Sequence, residues 1–131
     1  MTNTGWLIPI GGIGRRAELD ATSSRDRLQF MYTEIGCKTV DMFQVTPTID
    51  AWVDDEGMYN SQPNLVAMFV VERVSEQRLQ QPLWGTILFL SRDGEDATGL
   101  GEEDLAILEG QTKVVYDELL LDVLKIRARR P

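Results

Sequence analysis

A glycine-rich stretch followed at once by two arginines, Gly11-Gly12-Ile13-Gly14-Arg15-Arg16, is the part of this sequence best suited to hold a ligand. Glycines lack Cβ atoms, so their backbone N–H groups can approach a phosphate, and two guanidinium groups could neutralise it. The stretch lacks the Lys-Ser/Thr of a P-loop and the spacing of a dinucleotide fingerprint, so a plain hairpin turn competes with the anion site. Asn64, at the expected start of a helix, is the second candidate, since its amide could either cap the helix or hold a ligand. The candidate anion-binding set is therefore Gly11, Gly12, Gly14, Arg15, Arg16 and Asn64.

Other chemistry is harder to build. The chain contains no histidine, which removes the commonest general base, the commonest metal ligand and every Ser-His or Cys-His pair. No enzyme activity, catalytic residue or cofactor is expected. Asp54, Asp55 and Glu56 offer oxygen ligands to a divalent cation. Adjacent residues on a strand point to opposite faces, however, so a solvated turn is the simpler reading. Asp93, Glu95 and Asp96 lack the full pattern of a calcium loop. No metal site is expected at either place. Cys37 is the only cysteine; it reads as a small core residue, excludes an internal disulfide and suits a reducing, cytoplasmic setting. Trp52 and Trp84 read as core or interface anchors.

Charge narrows the partners. The chain carries 13 basic and 21 acidic side chains, a net −8. Four of the basic residues, Lys125, Arg127, Arg129 and Arg130, fall in the last seven positions, which hold no acid. The other 124 residues thus carry nine basic against twenty-one acidic side chains, a net −12. Such a body repels nucleic acid and anionic membranes, so neither is expected as a partner. No apolar run is long enough to span a bilayer, and the N-terminus does not read as a signal peptide.

These residues need a frame, which the hydrophobic pattern supplies. Gly5–Ile10 reads as a strand cut short by Pro9, and Arg15–Leu19 as its hairpin return. Thr22-Ser23-Ser24 precedes a helix, with Ser23 and Asp26 approximating a capping box, Leu28, Met31 and Ile35 on one face, and Gly36 as C-cap. Lys38–Val45 and Ile49–Val53 read as an antiparallel pair. Asn60 and Ser61 are expected to cap a second helix, with Pro63 in its first turn, running to about Val74. Leu83–Leu90 reads as a central strand buried on both faces, followed by an exposed loop over Ser91–Asp96. A long helix is expected from Glu102 to about Leu124; Gly110 could divide it, and Thr112 interrupts its apolar spacing. The order β-β-α-β-β-α-β-α predicts a single α+β domain over residues 1–124, a small, mostly antiparallel sheet with helices packed on one face. Residues 125–131 are expected to fray as a basic tail.

Ile35-Gly36-Cys37, Val40-Asp41, Trp52-Val53-Asp54-Asp55-Glu56-Gly57, Pro63-Asn64 with Ala67, Trp84-Gly85 and Gly99-Leu100 follow one another in order between Arg25 and Leu108. This series resembles domain of unknown function 3846, a family of actinobacteria, plasmids and their phages. Leu65 stands where the family usually has Arg, so any role of that Arg is absent. The resemblance implies a phage or mobile-element accessory protein and supplies no reaction.

Two functional expectations follow. In the first, a non-catalytic accessory protein of counter-defence type sequesters a small anionic ligand, such as a nucleotide signal, in the host cytoplasm. In the second, the acidic surface inhibits a basic host protein or mimics nucleic acid. The broad apolar face of the last helix further suggests a homo-oligomer formed through it.

Overall fold

The computed structural model describes residues 2–20 and 23–129. Thr22 and Arg130, named above, lie outside the described residues, as do residue 131 of the expected tail and the side chain of Ser24. The elements are β1 (Thr4–Ile8), β2 (Arg15–Glu18), α1 (Ser24–Ile35), β3 (Val40–Thr46), β4 (Ile49–Asp54), α2 (Gly57–Asn60), α3 (Leu65–Ser75), β5 (Ile87–Asp93), β6 (Asp96–Thr98) and α4 (Glu102–Ala128). The sheet runs β2-β1-β5-β4-β3 with β6 added to β5, and every pairing is antiparallel. The α+β class and the antiparallel sheet are as the sequence predicts.

The helices, however, do not lie on one face. Trp6, Ile8, Ala51, Ile87 and Phe89 pack with Val66, Val70, Leu105 and Leu108 of α3 and α4. Leu7, Leu88 and Leu90, which alternate with them, pack with Met31 and Ile35 of α1. Successive strand side chains point to opposite faces, so α1 covers one face of the sheet and α3 with α4 covers the other. The reason lies in β5, whose Ile87–Leu90 run is fully buried. A strand apolar on both sides needs cover on both sides.

Several boundaries also move. The central strand starts at Ile87, because Gly85 sits at φ +81° and Trp84 pairs outside the sheet with Pro63. The expected loop after Leu90 is instead a hairpin turning at Gly94 (φ +63°) into β6. Gly110 does not divide α4, which is a single helix of 27 residues and continues past Leu124 through Lys125–Ala128. Ser23 caps α1 by accepting from the Asp26 N–H at 3.1 Å, and Gly36 closes it at φ +78°, as expected. Among the described residues, no helix is long and apolar enough to cross a membrane.

Candidate functional site

The two arginines of the glycine-arginine hairpin do not lie on one side of the sheet. Arg15 pairs with Leu7 in register and Arg16 with Trp6, so the two side chains leave the strand on opposite faces. Arg15 Nη2 meets Glu34 of α1 at 2.7 Å, and Arg16 Nε meets Glu109 of α4 at 2.6 Å. The Glu109 carboxylate raises the Arg16 pKa through this hydrogen bond and its charge. The glycines serve the fold. Only Gly11 of the three needs positive φ, at +63°. A Cβ on Gly14 would stand 2.3 Å from Cζ2 of Trp6, so Gly14 lets the chain pass flat over the indole. Beside this turn, Trp6, Ile13 and Tyr116 line an apolar hollow of about 250 Å³, which Glu109, Lys113 and Asp117 also border. Its charged groups are already matched, Glu109 with Arg16 and Asp117 with Lys113, so neither cation stands unpaired for an anion.

Asn64 is equally committed. It is 1% exposed. Its Nδ2 donates to the Ile8 carbonyl at 2.9 Å and to the Gly85 carbonyl at 2.8 Å, and its Oδ1 accepts from the Ala67 N–H at 3.1 Å. Its own N–H donates to the Leu83 carbonyl at 2.8 Å. Asn64, rather than Asn60 or Ser61, is the N-cap of α3, and Pro63 precedes the helix instead of entering it. One amide thus joins β1, the segment entering β5, and α3. The structure does not bring Asn64 together with the arginines.

A different surface emerges at the corner after β4. Asp54 Oδ1 accepts from the Glu56 N–H at 2.8 Å, tightening the acidic turn. α2 follows, a single turn that the sequence pattern did not reveal because its Met58 and Tyr59 are exposed rather than buried. Gly57 allows it: a Cβ there would stand 3.0 Å from the Trp84 carbonyl oxygen and 3.1 Å from the Trp84 Cβ. Asp41, Asp54 and Asp55, with Met58, Tyr59 and Trp84, line an open hollow of about 640 Å³. Tyr59 is 80% exposed and Met58 56%. No ion pair among the described residues involves Asp41, Asp54, Asp55 or Glu56. Uncompensated carboxylates beside exposed aromatic and thioether groups suit a cation carried on an apolar stem.

An adjoining polar hollow of about 370 Å³ holds Cys37, Lys38, Glu56 and Asn60. Partial burial raises the Cys37 thiol pKa, and the Asp54 carboxylate adds to the effect. That opposes nucleophilic use, which needs a thiolate. Among the described residues, no three His, Cys, Asp or Glu side chains are grouped as metal ligands.

A family model described as Domain of unknown function (DUF3846) matches residues 10–113. No curated protein and no solved structure matches the chain.

Proposed function

We propose the following from the premise that this chain belongs to the domain of unknown function 3846 family: it is a non-catalytic binding protein that holds a basic segment of a partner protein at the corner after β4. The observation that carries this reading is the hollow where Asp41, Asp54 and Asp55, which join no ion pair among the described residues, stand beside the exposed Tyr59 and Met58. An arginine or lysine entering it would meet carboxylates with its head and Trp84 or Tyr59 with its stem. Aromatic residues anchor protein interfaces well, because they bury large area at low entropic cost. In the phage or mobile-element setting that the resemblance implies, a counter-defence accessory protein of this kind would act by occupying a host protein. The small-anion reading has less support, because Arg15 and Arg16 diverge and each already meets a carboxylate.

The test is titration of the protein with a short arginine-rich peptide, followed by intrinsic fluorescence at rising salt. Binding should weaken as salt rises and should drop about tenfold with Tyr59→Ser or with Asp54→Asn/Asp55→Asn. Undiminished binding in these variants would place the peptide elsewhere and defeat the reading. A thermal-shift series with nucleotides runs beside it. A shift abolished by Arg15→Ala/Arg16→Ala would restore the anion reading.

A further inference from the structure

A cleft of about 430 Å³ opens between α3, the residues just after it and the second half of α4. It shares no lining residue with the hollow at the corner after β4. Helix geometry gathers its walls. At about 100° per residue, Val115, Glu118, Leu119 and Asp122 fall within about 100° of one another on α4, and Phe69, Glu72 and Arg73 do the same on α3. Part of the lining is apolar: Val115 is buried, Leu119 is partly so, and Phe69 is 43% exposed.

The rest is charged, and mostly of one sign. Glu72, Glu76, Glu118 and Asp122 stand against Arg73 and Arg78, a net −2. None of the six joins an ion pair among the described residues. Two of them hold neutral partners: Glu72 accepts from the Leu79 N–H at 2.8 Å, and Arg73 Nε donates to Gln111 Oε1 at 2.6 Å. Glu76, Glu118 and Asp122 then face Arg78. Glu118 and Asp122 stand one turn apart, a like-charge spacing that destabilises a helix. α3 ends at Glu76 beside the cleft, so the negative end of its dipole adds to these carboxylates. Each of these effects favours a positive charge in the cleft.

The same features select among cations. A bare metal ion would leave the apolar lining unused, and among the described residues no three carboxylates are grouped as metal ligands. A neutral apolar molecule would desolvate the carboxylates without replacing their water. A cationic head on an apolar body uses both parts, with the Phe69 ring open to it, and the volume suits a small molecule. We infer that the cleft between α3 and α4 binds a small organic ammonium or guanidinium compound. Its apolar body lies on Phe69, Val115 and Leu119, and its head among Glu76, Glu118 and Asp122. This site stands without the proposal made for the corner after β4.

Titration of the full chain with tryptamine, followed through the methyl NMR resonances of Val115 and Leu119, tests the inference. Indolepropionate, its anionic counterpart, runs beside it. Tryptamine should shift both sets of resonances with a Kd of about 1 mM or below, and indolepropionate should bind at least about tenfold more weakly. Glu118→Gln/Asp122→Asn should weaken tryptamine binding about tenfold. Both residues are exposed, so circular dichroism should show the variant folded. Asp54→Asn/Asp55→Asn should leave this titration unchanged, whatever it does to peptide binding at the corner. Absence of any shift at about 10 mM tryptamine would overturn the inference. So would equal binding of indolepropionate, indifference to the Glu118/Asp122 variant, or loss of tryptamine binding in the Asp54/Asp55 variant.

Discussion

The opening hairpin and the Asn64 corner both drew notice as ligand sites, and both are spoken for by the fold, though at very different depths. At the hairpin, the exposed Arg15 and Arg16 hold partly exposed partners, and of the candidate residues there only Gly14 lies against a buried side chain of the core, that of Trp6. At the corner, one buried amide makes three hydrogen bonds, two of them to segments far apart in sequence and the third capping its own helix. Side-chain type alone does not separate the two. What separates them is whether water can replace the partner. Around Asn64 it cannot, so each lost bond leaves a buried group unsatisfied.

That contrast can be broken or sharpened by substitution. Asn64→Ala should be the most damaging, at about 3 kcal/mol or more, because it orphans the Ile8 and Gly85 carbonyls and removes a helix cap; urea denaturation measures it, and a loss below that of an ordinary surface change would refute the corner's role. Gly14→Ala should come next, at about 2 kcal/mol, since its Cβ must displace the Trp6 indole. The companion change Thr112→Val should cost about 1–2 kcal/mol. It removes the hydroxyl that accepts from Trp6 Nε1 at 2.9 Å. Near-UV circular dichroism should report both through the Trp6 environment. Arg15→Ala should leave the melting temperature within measurement scatter, as exposed ion pairs contribute little. A large loss there would erase the distinction between the two regions. Smallest in energy is Cys37: with its pKa raised, less thiolate is present at any given pH, so its labelling by iodoacetamide at pH 8 should lag behind free cysteine. Asp54→Asn should speed it by removing the neighbouring negative charge.

Much of the frame was legible. α1 announced itself through local chemistry, with Ser23 at one end and Gly36 at the other. The antiparallel pair expected over Lys38–Val45 and Ile49–Val53 is the β3–β4 ladder. What escaped was non-local or too short. Ala97 is the only buried residue of β6, and α2 buries only Gly57, so neither carries a pattern. Thr112 looked like a flaw in the stripe of α4 and is a partner for an indole more than a hundred residues away. The division of helices between two faces was implicit in the sequence: a strand apolar throughout, such as Ile87–Leu90, is incompatible with cover on one side. The two arginines of the candidate site diverge for a related reason: adjacent on β2, they follow the alternation that sends successive strand side chains to opposite faces.

The position of β5 at the centre of the sheet has a consequence for synthesis. Its neighbours are β1 and β4, with Leu7 against Leu88 and Trp52 also against Leu88. The strand that joins the two hairpins is thus the last long one made. As the chain leaves the ribosome, β1–β2 and β3–β4 can form only as separate ribbons, each marginal in water. Contacts of such long sequence separation slow closure. The sheet should therefore assemble in one late step once Ile87–Leu90 emerges, and until then its apolar edges remain open to whatever else the cell offers.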